Sequence, residues 1–120
     1  MEIYFRTKKL QRQCSDNREM IKDFGPKLSK KLAQRLMELM AAESLNDLSH
    51  LPPARCHELE NRSGVFSVDL EYPYRLLFIP AHESVPLKED GGIDRQYVTE
   101  VEVIAIEDTH DRKNQRRGSR

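Results

Sequence analysis

A change of hydrophobic period at Pro52-Pro53 divides this chain into a helical half and an extended half, and it constrains the fold more than any other feature. Before the prolines, apolar residues recur every three or four positions. Leu28, Leu32, Leu36, Leu39 and Met40 form one stripe, which predicts a helix over 27–43. Lys27, Lys30, Lys31, Gln34, Arg35 and Glu38 fall on its opposite, solvent-facing side. Leu10, Cys14, Ile21 and Phe24, widened by Met20, predict an earlier helix over 8–23. Gly25-Pro26 separates the two, and a proline suits a first helical turn, where its missing N–H has no partner to lose. Ser44, with Asp47 three residues on, predicts a capped short helix over 45–49.

Residues 2–6, rich in aromatic and β-branched side chains, predict a first strand. Beyond Pro53 the period becomes two. Residues 55–59 are short and extended, and 65–70 alternate with Phe66, Val68 and Leu70 on one face. Residues 75–79 are almost continuously apolar, as in a central strand, and 98–106 are rich in valine and isoleucine. The expected fold is α+β, with two N-terminal helices packed on a small, mainly antiparallel sheet. The stretch 80–97 joins two expected sheet neighbours but is far longer than a hairpin loop of two to five residues. Its Asp90-Gly91-Gly92 turn signal leaves two readings, a loose excursion or a small extra hairpin. One domain over 1–111 is expected, followed by a basic tail over 112–120.

The chain has 38% hydrophobic residues, enough for a folded domain, and no apolar run long enough to cross a membrane. Its start does not read as a signal peptide, so a cytoplasmic location is expected. Two cysteines, Cys14 and Cys56, are too few for a disulfide framework or a four-ligand zinc site, and both read as core residues. Twenty basic and twenty acidic residues cancel, so any attraction for nucleic acid must come from a local patch. The tail, which includes Arg112 and Lys113, carries five cations and no acid.

A colinear set of segments then carries a resemblance. It comprises Thr7-Lys8-Lys9-Leu10, Cys14, the second helix, Arg55-Cys56-His57-Glu58-Leu59, Gly64 to Leu70, Pro73 to Phe78, and Ile106-Glu107-Asp108-Thr109-His110. Over residues 3–80 and 98–110 the order and spacing resemble the HigB-like branch of the RelE/ParE toxin superfamily. The 80–97 stretch and the tail lie outside the match. The resemblance implies a toxin of a bacterial type II toxin–antitoxin pair, an mRNA endonuclease acting on the ribosome without metal or cofactor. It implies a helix-turn-helix antitoxin of the HigA type as partner, with operator DNA reached only through the complex and no membrane association. This chain has no helix-turn-helix of its own, because its second helix is followed by strands.

Cutting RNA without metal requires a deprotonated 2′-hydroxyl, stabilised phosphorane charge and a protonated leaving oxygen. Histidine suits the proton transfers, and arginine presents a fixed fork of donors to phosphate oxygens. No cluster in the sequence has metal-ligand spacing. His110, at the family's closing histidine, is the first candidate for general acid or base. Arg75, charged within an apolar strand, is either a phosphate clamp or the partner of an acid such as Asp69 or Glu107. Arg62, in the 60–64 turn, either serves as the basic position the family resemblance implies or is a solvated turn arginine. His57 is either catalytic or a structural hydrogen-bonder; Cys56 beside it points to the opposite face of a strand. Lys8, Lys9 and Arg12 either line an RNA path or face solvent, and Arg112 and Lys113 extend the basic character.

Two positions depart from the family pattern. Glu60-Asn61 stands where relatives carry Lys-Gly, and Thr109 where many carry tyrosine. A carboxylate in place of a cation weakens the hold on phosphate. Three readings stay open: Glu60 is a general base, the basic tail compensates for the lost cation, or Glu60 marks weakened catalysis. The alternative function is a non-nuclease toxin-fold protein, a ParE-like gyrase inhibitor or a subunit acting through antitoxin and operator.

Overall fold

The structure, a computed structural model, describes residues 1–108. The chain runs β1 (Glu2–Phe5), α1 (Lys8–Ser15), α2 (Asn17–Ala41), α3 (Leu45–Ser49), β2 (His57–Glu58), β3 (Phe66–Asp69), β4 (Arg75–Pro80) and β5 (Glu100–Glu107), with short 3-10 turns at Pro52–Ala54 and Arg95–Tyr97. The fold is α+β. Helices pack on a five-stranded sheet of order β1-β5-β4-β3-β2. All pairs are antiparallel except β1 with β5, which run parallel. A strand therefore precedes the helices, and β1 joins the sheet beside the last strand.

The helices are divided differently from the apolar pattern. A break falls at Asp16, whose carboxylate accepts the N–H groups of Arg18 and Glu19 and so caps α2. The periodic residues Leu10 to Phe24 thus belong to two helices separated by the extended residue Asp16. The expected break at Gly25-Pro26 is present inside α2: Gly25 sits at φ 78°, ψ 168°, outside helical geometry and open to glycine without strain. Ser44 precedes α3 without a side-chain cap bond; Asp47 instead accepts the Glu43 N–H. At the other end of α2 the Met1 ammonium donates to the carbonyls of Leu39, Met40 and Ala42, groups that a helix end leaves without partners.

The core lies between α2 and one sheet face. Leu28, Leu32, Leu36 and Leu39 meet Phe66, Val68, Leu76, Phe78, Val101 and Val103, with the Phe66 and Phe78 rings stacked 6.0 Å apart. Arg35, expected on the solvent side of α2, is instead 3% exposed. It donates to the Asp69 carbonyl at 2.7 Å, the Pro53 carbonyl at 2.7 Å and the Glu38 carboxylate at 3.0 Å. The segment around Pro52–Ala54 and the end of β3 close over that shoulder of the helix, which no helical periodicity can announce.

The 80–97 stretch is a small hairpin. Leu87 bridges Ile93 across the glycine turn, Arg95 lies 5.0 Å over the Phe66 ring, and the Thr99 N–H donates to His82 Nε2. No helix among the described residues is long and apolar enough to cross a membrane.

Candidate functional site

Strand pairing fixes which side chains share a face, because opposite partners point the same way and neighbours along a strand alternate. Asp69, Arg75 and Glu107 form one row across β3, β4 and β5, and His57, Ser67, Leu77 and Ala105 form the next. Both rows lie on the face turned away from α2. One irregularity in β5 brings them there. Leu77 pairs with Ala105 but Phe78 pairs with Val103, so Ile104 is an extra residue in a β-bulge. The sequence of β5 contains the same slip: Val101 and Val103 are inward, and Ile106, three residues on, is inward too. The bulge absorbs it and leaves Glu107 facing Arg75.

Three arginines and a histidine gather around two carboxylates. Arg62, from the turn after β2, pairs with Glu107 at 2.7 Å. Arg75 and Arg55 flank Asp69, each at 3.6 Å. The charge of these five groups is three positive against two negative. His57 Nδ1 is 2.9 Å from the Arg55 carbonyl, and Arg75 lies 3.4 Å from His57 Nε2. A carbonyl only accepts, so Nδ1 carries the proton and Nε2 accepts from the guanidinium. That leaves Nε2 as the basic nitrogen of the group. The Ser67 hydroxyl, fully buried in the row beside His57, has no hydrogen-bond partner among the described residues.

The structure thus brings together His57, Arg62 and Arg75 of the sequence candidates. It adds Arg55, Asp69 and Glu107; two of these three, Asp69 and Glu107, are the acids the sequence offers as partners for Arg75. Glu60 is exposed in the turn after β2 and bonds no described residue. Lys8, Lys9 and Arg12 are exposed on α1, which packs against β1, β5 and α2, and none bonds to the arginine group. His110, Arg112 and Lys113 lie outside the described residues, as does Thr109. Burial pushes the Cys14 and Cys56 thiols up to about 11, partly offset at Cys56 by Arg95 and a bond to Ser49. Neither is a thiolate at neutral pH, so a Cys56–His57 nucleophile pair has no ionised sulfur to offer.

A pocket of about 190 Å³ opens beside the arginines, lined by Arg55, Asp69, Leu70, Tyr72, Pro73, Tyr74 and Arg75. A second, of about 240 Å³, lies on the other side of the same turn, lined by Lys27, Lys30, Lys31, Gln34 and Glu71. No family model matches the chain, and neither does any curated protein.

Proposed function

We propose that this chain is the toxin of a type II toxin–antitoxin pair, a HigB-like endonuclease that cuts mRNA and is neutralised by a helix-turn-helix antitoxin. The observation that supports this reading is the joining of Arg62, Arg75 and His57 from separate segments on one sheet face. In the proposed reaction the RNA 2′-oxygen attacks the adjacent phosphorus, its proton passing to a base, and the P–O5′ bond breaks. The products are a 2′,3′-cyclic phosphate and a 5′-hydroxyl. His57 Nε2, released as Arg75 turns from it to the phosphate, accepts the proton, with Nδ1–H held by the Arg55 carbonyl. Arg62 and Arg75 stabilise the charge that develops on the phosphorane oxygens. His110, which follows the end of β5 in sequence, returns a proton to the leaving oxygen.

A second reading is favoured by the ion pairs. Arg62, Arg75 and Arg55 each already face a carboxylate, so phosphate must displace Glu107 or Asp69. A chain in which that exchange is unfavourable is a binding subunit rather than a nuclease. Mapping of RNA 5′ ends after controlled expression separates the two. The nuclease reading expects new mRNA ends that vanish in Arg75→Ala and His110→Ala, with losses of about a hundredfold or more. No new ends from folded wild-type protein would sink it, and DNA-damage signalling in their place would indicate gyrase inhibition.

A further inference from the structure

The turn between β3 and β4 carries features that the proposed chemistry does not use. Tyr72 at its tip is 81% exposed, more than any other large apolar or aromatic side chain among the described residues, and Tyr74 is 43% exposed. The turn is held by the Leu70 N–H to the Tyr74 carbonyl and the Tyr74 N–H to the Glu71 carbonyl, so the tyrosines stand on a defined support. On one side lies the pocket containing Arg55 and Arg75; on the other, the pocket containing Lys27, Lys30 and Lys31. Unlike the arginines, the three lysines form no ion pair with a described residue. Each pocket is smaller than the ~300 Å³ typical of a whole small-molecule site. The volume beside the tyrosines suits one flat ring.

The geometry points to a single-stranded RNA track that leaves the arginine group, stacks an unpaired base on Tyr72 beside Pro73, and continues over Lys27, Lys30 and Lys31 of α2. Two physical arguments select this ligand. Aromatic faces stack on bases that have left a duplex, and a duplex keeps those faces covered. Phosphates need cations that are not already committed, and the lysines supply them. The track deepens the ribonuclease reading, on which it rests for its substrate, and it runs along α2 rather than along Lys8, Lys9 and Arg12 of α1.

The test is fluorescence anisotropy with a short unstructured 2′-O-methyl oligonucleotide, whose blocked hydroxyl prevents cleavage. Tyr72→Ala is expected to weaken binding by roughly five- to a hundredfold and Tyr72→Phe to restore it. Lys30→Gln with Lys31→Gln is expected to flatten the slope of log affinity against log salt by about 0.7 for each phosphate no longer neutralised. Tyr72 is at the surface, so an unchanged melting temperature confirms that each variant is folded. Wild-type binding that Tyr72→Ala leaves intact overturns the track, as does failure of the wild type to bind, or equal, Tyr72-independent affinity for duplex DNA. Tyr72-dependent binding supports the track even if no new RNA ends form in cells, an outcome that removes the nuclease reading alone.

Discussion

At the scale of single residues, the proposed site sets internal carboxylates against the external phosphate of the proposed substrate. Asp69 holds Arg55 and Arg75 together while Glu107 holds Arg62, so the cations are placed before any phosphate arrives. Placement in advance reduces the ordering cost of binding, and the carboxylates set the strength a phosphate must exceed. The cysteines belong to the other half of the molecule's residue chemistry. Their thiols are shifted to about 11 by burial, whereas in the unfolded chain they ionise near 9. Between those values the unfolded state binds fewer protons than the folded one, so stability falls as pH rises through that window. Melting at pH 7 and pH 10 checks it: the Cys14→Ala, Cys56→Ala double variant is expected to lose less stability than wild type over that step. Equal losses would remove the cysteines as the cause. Arg75 was legible in the sequence as a charge needing a partner, and Arg62 only as a turn cation at a basic position of the family resemblance. Arg55 was not, because an arginine after two prolines has the look of any loop cation until its distance to Asp69 is known.

At the scale of elements, two short devices position everything else. Asp16 ends one helix and starts the next, letting α1 and the start of α2 pack as a bent pair although their apolar residues share one period. Asp16→Ala leaves the N–H groups of Arg18 and Glu19 without that acceptor and is expected to cost about 1 kcal/mol. Chemical denaturation, with an unchanged midpoint as the contrary result, checks it. The bulge at Ile104 is the second device. Without it the alternation that sends Val101 and Val103 inward would send Glu107 inward too, opposite Tyr74 rather than Arg75. Which strands are left at the sheet's edges is also decided at this scale. The sheet's edges are β1 and β2, whereas β5, although last in chain order, is internal. An added strand of any partner therefore has β1 or β2 to pair with.

At the scale of the whole molecule, Arg35 connects layers that are distant in sequence. Its guanidinium ties α2 to the carbonyl of Asp69, on the strand that carries the site, and to Pro53 before β2. Arg35→Met keeps the volume but leaves two carbonyls without their donor and Glu38 without its cation. It is expected to destabilise by about 3 kcal/mol, within the range for breaking a buried charged pair. For a domain of this size that is a fall in melting temperature on the order of 10 °C, readable by calorimetry. A shift within a degree or two would show that the shoulder of α2 is not a structural joint. The hairpin over 80–97 is fastened in the same way, by Arg95 over Phe66 and His82 on Thr99, so the long connection between β4 and β5 is tied back to the core at both ends.

What the sequence determined by itself was whatever depends on short-range periodicity and steric preference. That includes the α+β class, the apolar stripe of α2, the break at Gly25, the alternation of β3 and the apolar run of β4. These follow from 3.6- and 2-residue repeats and from backbone limits that act within a few residues. Only the tertiary structure decided the parallel pairing of β1 with β5, the burial of Arg35, and the meeting of His57, Arg62, Arg75, Asp69 and Glu107. Each of these joins segments many residues apart. Its existence depends on which faces pack together, and in β5 on one extra residue that shifts the phase of a strand.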